Sequence, residues 1–162
     1  MERIDKTNYY LDIAEVVLER GTCLRRNYGA VIVNDDEILS TGYTGAPRSR
    51  KNCSDIGVCM REELNIPRGE RYEKCRSVHA EANALLATAR RDMIGSTLYL
   101  VGKEMKDKTY VENPSSCSMC KKLIINSGIE RVIVRLDKTT FKEFEVCDWI
   151  YYDDSLTHVM GY

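Results

Sequence analysis

The sequence predicts a layered α/β domain built around a mixed sheet. Segments with helical periodicity alternate with short segments rich in Val and Ile, in the order helix, hairpin, helix, strand, helix, strand. The chain has 162 residues, of which 43% are hydrophobic and 30% charged, and these values are typical of one globular domain. We therefore expect a single domain over residues 1–162, with its final strands joined by right-handed crossovers.

The amino-terminal part contains one predicted helix and one predicted hairpin. Residues 7–20 place apolar side chains at three-and-four spacing, and Thr7 can cap this helix. Residues 28–43 contain two strand-like runs around a polar turn, which is typical of a hairpin. Residues 46–76 carry many charges and little periodicity, so we expect a mostly irregular, cysteine-containing insertion there.

The remaining chain alternates helices and strands. Residues 79–91 are strong helix formers, and residues 95–103 follow as a buried strand. Residues 117–126 predict another helix, stopped by Ser127 and Gly128, before a strand at 131–136. The aromatic and acidic segment 141–162 could form a short helix and a strand, or a tail.

Charge and hydropathy exclude some classes of protein. The net charge of −1 lacks the basic excess of a protein whose main partner is nucleic acid. No apolar run approaches the roughly 18 residues of a membrane span, and the first residues lack the apolar core of a signal peptide. We therefore expect a cytoplasmic protein, in which seven cysteines favour metal binding or catalysis over disulfides.

Two short motifs carry the most specific chemistry. SVHAEANALL contains His79 and Glu81, and SSCSMCKKLI contains Cys117 and Cys120. Two thiols one turn apart at the amino end of a helix favour thiolates, and with His79 they form a donor set that suits Zn²⁺. Three ligands leave a fourth position for water, and Glu81 is the expected proton shuttle beside it. This order of motifs is the signature of zinc-dependent nucleobase deaminases.

From about Cys23 to Val134, the sequence resembles the deoxycytidylate (dCMP) deaminases of the cytidine deaminase superfamily. The resemblance runs through CLRRNYGAVIV, STGYTGAP, SVHAEANALL and CKKLIINSGIERVIV. It implies a three-layer α/β/α fold with a central five-stranded sheet. It also implies hydrolysis of dCMP to dUMP and ammonia for thymidylate synthesis, and a homohexamer regulated by dCTP and dTTP.

The same resemblance assigns roles to residues. It implies that His79, Cys117 and Cys120 bind zinc, while Glu81 moves a proton from water to cytosine N3 and then to the leaving amine. The sequence departs from the family at two positions: Ser116 replaces the usual proline before the first cysteine, and Thr44 replaces the asparagine of GYNG.

A second, structural zinc is present in some members of the family. Cys23 and Cys53 match two of its ligand positions, and Cys59 and Cys75 could complete a four-thiolate site that pins the insertion. The alternative is that these four are ordinary buried cysteines. Cys147 is left over, and we expect it to be packed.

The substrate of such an enzyme carries a 5′-phosphate, which needs fixed cations or N–H donors. Arg25, Arg26 and Asn27, just before the first strand, are the candidates, and the alternative for them is a solvated charged turn. The hydroxyl of Thr44 could contact a ribose or an effector. Asn83 could bond the substrate or brace a loop.

Three other functions stay open. A nucleoside cytidine deaminase typically has Cys where His79 stands. A tRNA adenosine deaminase shares the His-Ala-Glu motif but needs a basic face for RNA. A non-catalytic, zinc-stabilised nucleotide-binding protein would keep the metal and lack turnover.

Overall fold

A mixed sheet of five strands forms the centre of the computed structural model, which describes residues 1–153 and 156. The helices and strands are α1 (Lys6–Leu18), β1 (Arg26–Asn34), β2 (Glu37–Tyr43), α2 (Cys53–Ile56), α3 (Met60–Glu63), a 3₁₀ turn (Tyr72–Lys74), α4 (Ala80–Leu86), α5 (Arg90–Met93), β3 (Thr97–Glu104), α6 (Ser118–Ser127), β4 (Arg131–Arg135), β5 (Phe141–Glu145) and α7 (Val146–Tyr152). The strand order is β2-β1-β3-β4-β5, with β3 and β4 parallel and the other neighbours antiparallel. The predicted α/β class is confirmed.

Helices cover both faces of the sheet, so the three-layer arrangement is also confirmed. Successive side chains of a strand point to opposite faces. Val31 of β1 packs in the cluster that contains Leu11 of α1, whereas Ile32 packs in the cluster that contains Ala84 of α4 and Ile124 of α6. The core therefore consists of two apolar layers, one on each side of the sheet.

Two glycines let helices approach the sheet closely. A Cβ atom at Gly29 would lie 2.0 Å from the carbonyl oxygen of Ala14 in α1, and one at Gly42 would lie 2.3 Å from that of Ala80 in α4. No larger side chain fits at either position. The amino end of α4, where His79 is located, is therefore held directly against β2.

The hairpin is confirmed, and the start of α1 differs from the prediction. Asp35 and Asp36 connect β1 and β2 with φ values of 48° and 63°, as a type I′ turn requires. Asp5, and not Thr7, caps α1: its side chain accepts a hydrogen bond from the backbone N–H of Asn8 at 2.9 Å. Thr7 lies inside the first turn, so the prediction of Thr7 as the cap is wrong.

The helix predicted over 79–91 is instead two short helices, α4 and α5. The backbone is extended at Ala89, between them. The Asn34 side chain donates a hydrogen bond to the carbonyl oxygen of Asp92 at 2.9 Å, and Met93 is buried in the core. These tertiary contacts outweigh the helix propensity of the segment.

The connections between the last strands differ from each other. β3 and β4 are parallel and joined through α6, as expected for a crossover. β4 and β5 are antiparallel and are joined by the short turn 136–140. α6 ends at Gly128, which has the left-handed conformation predicted for a helix stop.

The insertion at 46–76 is mostly irregular, as predicted, and contains α2, α3 and the 3₁₀ turn. In the segment 141–162, a strand and then a helix form, and residues 154, 155 and 157–162 lie outside the described residues. Cys147 is exposed, so the expectation that it is packed is wrong. Among the described residues, no helix has the length and apolar character needed to cross a membrane.

Candidate metal centre and active site

The amino ends of α4 and α6 bring the three predicted ligands together. His79 is the N-cap of α4, Cys117 is the N-cap of α6, and Cys120 lies in the first turn of α6. The Nδ1 atom of His79 lies 3.5 Å from the Sγ atom of each cysteine. In the described part of the chain, this is the one group of three or more His, Cys, Asp or Glu side chains whose ligand atoms lie within 4.8 Å of one another.

This donor set fits zinc in its chemistry and in its geometry. In a tetrahedral site with Zn–S and Zn–N bonds of about 2.3 and 2.1 Å, the sulfur and nitrogen atoms are about 3.6 Å apart. The two observed separations of 3.5 Å agree with that value. One imidazole and two thiolates leave a fourth position free, as in catalytic zinc sites.

In the absence of a metal, the pKa values of the three predicted ligands shift in different directions. A hydrogen bond from Cys120 and the neighbouring His79 lower the pKa of Cys117 to about 4, against the opposing effect of burial. Burial lowers the pKa of His79, but its contacts with Cys117 and Cys75 outweigh that effect and raise it to about 10. The hydrogen bond to Cys117 and burial raise the pKa of Cys120. Zinc binding must therefore displace protons from His79 and Cys120.

Glu81 lies beside the ligands without joining them. It is in the first turn of α4 and is only 4% exposed. Burial raises the pKa of Glu81, the charge of Cys117 raises it further, and the charge of His79 opposes both. A carboxyl group whose pKa is raised accepts and holds a proton more readily than an exposed one.

A pocket opens onto this group and is lined by His79, Glu81 and Cys117. Its other lining residues come from the start of β1, the end of β2, the insertion, β3 and the loop before α6: Cys23, Arg25, Arg26, Tyr28, Thr44, Cys59, Arg61, Arg68, Tyr72, Cys75, Glu104 and Ser115. Four of these residues are arginines. Such a wall favours an anionic ligand.

The insertion forms part of the pocket wall against the metal ligands. The ring of Tyr72 packs edge-to-face on the ring of His79, with centroids 4.9 Å apart. The guanidinium of Arg61 lies over the ring of Tyr72, 4.5 Å from its centroid. The insertion therefore contacts the imidazole of His79 directly through Tyr72.

Comparison with known proteins gives the family. A family model described as "Cytidine and deoxycytidylate deaminase zinc-binding region" matches residues 4–136. The chain belongs to this family. It is 39% identical over 138 residues to the deoxycytidylate deaminase of Mycobacterium phage D29, covering 82% of this chain and 96% of that protein. It is 33% identical over 141 residues to the deoxycytidylate deaminase of Saccharomyces cerevisiae, covering 83% of this chain but only 40% of that protein.

Solved structures show the same fold. The dCMP deaminase of cyanophage S-TIM5, in complex with dCMP and dUMP, aligns with a TM-score of 0.58 and 23% identity over 97% of this chain and 93% of that one. The cytidine deaminase of Burkholderia pseudomallei aligns with a TM-score of 0.54 and 14% identity over 90% and 95% of the two chains. The fold of this deaminase family member is thus the one that the resemblance implies.

Two of the predicted phosphate candidates in this deaminase fold are engaged by carboxylates. Arg25 and Arg26 both line the pocket. Arg25 pairs with Glu62 at 3.1 Å, and Arg26 pairs with Glu104. Each charge is therefore partly neutralised within the chain.

Asn27 has a structural position instead of a place in the pocket. It is buried; its amide oxygen accepts a hydrogen bond from the N–H of Cys23 at 2.9 Å, and its amide nitrogen donates to the carbonyl of Cys23 at 3.2 Å. Asn27 therefore fixes the loop before β1, and its contact with the phosphate stays a prediction.

The other two polar candidates brace the end of β2. Thr44 lines the pocket, and its hydroxyl oxygen accepts a hydrogen bond from the N–H of Tyr28 at 3.0 Å. Asn83 donates to the carbonyl oxygen of Tyr43 at 2.8 Å, so it braces a loop.

The four cysteines proposed for a second zinc gather near the pocket without forming a ligand set. Cys23, Cys59 and Cys75 line the pocket. Burial raises the pKa of Cys53, and the charges of the other three cysteines raise it further. These three thiols are therefore close enough to Cys53 to interact with it electrostatically. No three of these four described cysteines bring their sulfur atoms within 4.8 Å of one another.

Sequence analysis missed Arg61, Arg68 and Tyr72 as pocket residues. They lie in the insertion, which has no hydrophobic periodicity from which the direction of a side chain could be predicted. The available signal was the concentration of arginines around Pro67 and Gly69, a pair typical of a turn.

Proposed function

We propose that the protein is a zinc-dependent dCMP deaminase, which hydrolyses dCMP to dUMP and ammonia. The observation that carries this proposal is Glu81, buried next to the His79, Cys117 and Cys120 group at an arginine-lined pocket. A relative that carries the name deoxycytidylate deaminase, 39% identical over nearly its whole length, supports it.

The mechanism assigns one task to each group of residues. Zinc held by His79, Cys117 and Cys120 would supply a water whose pKa is lowered to about 7. Glu81 takes a proton from the water whose oxygen adds to C4, and delivers this proton to N3 of cytosine. It then takes the remaining proton of the new C4 hydroxyl group and passes it to the amino group, which leaves as ammonia while the C4 carbonyl of uracil forms. Because Glu81 is buried, its carboxyl is desolvated enough to hold each proton between its uptake and its delivery.

The sugar and phosphate are assigned to the more polar wall of the pocket. Arg25, Arg26 and Thr44 all line it, which supports the predicted contacts of these side chains with the sugar or the phosphate. The hydroxyl of Thr44 can still donate a hydrogen bond, because its oxygen acts as the acceptor toward Tyr28.

The experiment that tests the function offers the purified protein dCMP, CMP, deoxycytidine, cytidine, dCTP and tRNA in parallel. The conversion of cytosine to uracil is followed by ultraviolet absorbance, and inosine formation is followed in the tRNA. We expect the highest kcat/KM for dCMP. Faster turnover of a nucleoside or of tRNA would contradict the proposal, and zinc-loaded protein without any turnover would favour the non-catalytic binding protein.

We also propose that Cys23, Cys53, Cys59 and Cys75 bind a second, structural zinc ion. Their proximity and their position in an irregular insertion support this proposal. Metal analysis is expected to give two zinc ions per chain for the wild type and for Cys147→Ala, the exposed control, and one for Cys53→Ala. A single zinc ion per chain in the wild type would contradict it.

We infer further that the protein is cytoplasmic, feeds dUMP to thymidylate synthesis, and forms a homohexamer regulated by dCTP and dTTP. The family resemblance supports these points, and so do the free thiols of all seven cysteines and the exposed apolar side chains of Leu86 and Ile94. Mass measurement in solution and titration of dCMP turnover with dCTP and dTTP test them. A monomer whose rate neither nucleotide changes would overturn the assembly and the regulation together.

A further inference from the structure

Two of the four arginines that line the pocket form no ion pair with a described carboxylate: Arg61, whose guanidinium donates to backbone carbonyl groups, and Arg68. Glu62 and Glu104 pair with Arg25 and Arg26, as described above. Arg68, an exposed side chain of the insertion that also lines the pocket, forms no ion pair with any described residue. A full positive charge is therefore available to a ligand at this position.

A braced turn holds Arg68 at the pocket. The N–H of Glu70 donates to the carbonyl oxygen of Pro67 at 3.4 Å, and Gly69 has a φ of 87°, as a type II turn requires at its third residue. The guanidinium of Arg61 donates to the same carbonyl of Pro67 at 2.6 Å and to the carbonyl of Glu70 at 2.7 Å. Both ends of the turn are thus tied to one buried side chain.

The brace connects the turn to the metal ligands. Arg61 is buried and stacks on Tyr72, which in turn packs on His79. The position of the turn relative to the metal centre is therefore fixed by packing contacts.

Arg68 and Glu81 both line the same pocket. A nucleotide with its base at Glu81 can therefore present its other end to Arg68.

We propose that Arg68 binds the 5′-phosphate of the nucleotide and thereby determines the preference for nucleotides over nucleosides. This inference rests on the proposed function and assigns its phosphate contact to the insertion. A planar guanidinium can form two parallel hydrogen bonds with a phosphate group, and its positive charge is attracted to the negative charge of that group. Arg61 is a positioning residue that holds the turn.

The test compares Arg68→Ala and Arg68→Lys with the wild type and with Arg50→Ala. Arg50 is another exposed arginine of the insertion and does not line the pocket, so its variant removes the same charge elsewhere. Steady-state kinetics are measured with dCMP, dCTP and deoxycytidine. Binding of dUMP and of deoxyuridine is measured by calorimetric titration, which does not depend on turnover.

We expect Arg68→Ala to raise the KM for dCMP and the Kd for dUMP by roughly tenfold to a hundredfold, the usual effect of losing a charged hydrogen-bond donor. The kcat for dCMP and the binding of deoxyuridine are expected to change less than twofold, and Arg68→Lys to recover part of the loss. An equal loss for dCTP identifies the phosphate shared by both nucleotides as the group recognised. Arg50→Ala is expected to match the wild type.

Two results would overturn the phosphate assignment. One is a Kd for dUMP within twofold of the wild type in Arg68→Ala. The other is an equal loss of dUMP and deoxyuridine binding, which would indicate a general disturbance of the pocket. Failure of the proposed function is separate from both, because wild-type protein that does not deaminate dCMP still allows the dUMP affinities to be compared.

Discussion

At the scale of single residues, the chemistry depends on one carboxyl group. Glu81 is buried beside three metal ligands, and burial raises its pKa. A carboxyl in that position exchanges protons with a bound substrate more readily than an exposed one with an ordinary pKa. We therefore propose proton transfer as the role of Glu81, distinct from the zinc binding that we propose for His79, Cys117 and Cys120.

This separation of roles predicts the behaviour of Glu81→Gln. The amide cannot transfer the proton, so kcat for dCMP should fall by roughly 10²- to 10⁴-fold. Zinc content and thermal stability should stay close to those of the wild type, because the ligands are unchanged. Glu112→Gln, at an exposed position outside the pocket, is the control. Undiminished turnover in Glu81→Gln would contradict the mechanism.

The ligands themselves predict proton release on metal binding. Without metal, His79 has a pKa of about 10 and the pKa of Cys120 is raised, so both hold a proton at neutral pH, whereas Cys117 does not. Refilling the catalytic site with zinc should therefore release about two protons at pH 7. Calorimetric titration in buffers of different ionisation enthalpy measures this number. Zinc uptake without proton release would show that the ligands are already deprotonated.

At the scale of single elements, the start of α1 is set by Asp5. Replacing an N-cap aspartate by alanine removes the hydrogen bond to the Asn8 N–H and should lower the free energy of unfolding by about 1 kcal/mol. Thr7→Ala, inside the first turn, should change it by only a few tenths of a kcal/mol. Urea denaturation of both variants measures the difference. A larger loss of unfolding free energy for Thr7→Ala than for Asp5→Ala would show that Thr7 is the cap.

The attachment of α1 to the sheet predicts a pH dependence. Glu15 of α1 contacts Lys103 at 2.5 Å, Arg135 at 2.8 Å and Tyr110 at 2.9 Å. Burial raises the pKa of Glu15, but these three hydrogen bonds outweigh it and lower the pKa from 4.5 to about 2. Because the folded-state value is the lower one, the stabilisation is complete above pH 4.5 and is lost as the pH falls toward 2.

Glu15→Gln tests this contribution. At pH 7 the variant should lose on the order of 2–3 kcal/mol of unfolding free energy, and its difference from the wild type should shrink as the pH falls. Denaturation curves recorded between about pH 5 and pH 3 measure the trend that linkage requires. A difference that stays constant over this range would mean that Glu15 is not ionised differently in the folded and unfolded states.

The elements also show what the sequence could predict and what it could not. His79, Cys117 and Cys120 were predictable because short motifs place them at the starts of helices, where the local backbone fixes their direction. The break at Ala89 was not, because it depends on hydrogen bonds from Asn34, a residue distant in sequence. Arg68 was not predictable either, since its place in the pocket depends on Arg61 and on a turn in an irregular segment.

At the scale of the whole molecule, the sheet and the insertion enclose the metal centre from two directions. β2 holds the amino end of α4 through the close approach at Gly42, and the insertion covers His79 with Tyr72. The scaffold therefore fixes the ligands, while the insertion shapes the part of the pocket that meets the rest of the substrate.

This division predicts the effect of Gly42→Ala. The added Cβ would lie 2.3 Å from the carbonyl oxygen of Ala80 and 2.4 Å from the nitrogen of Ala84, so α4 must move away from β2. We expect a loss of stability of about 1–3 kcal/mol, as for other overpacked sites, together with weaker zinc binding because His79 moves with α4. Denaturation and competition with a chelator measure the two effects. Wild-type zinc affinity in a destabilised variant would contradict the link between β2 and the metal centre.

The central claim is that zinc-loaded protein removes ammonia from dCMP, and the most direct test is to measure ammonia and dUMP in the same reaction. We predict one ammonia for each dUMP formed, no product after zinc is removed with a chelator, and recovery when zinc is returned. Zinc-loaded protein that binds dCMP yet releases neither product would contradict the account.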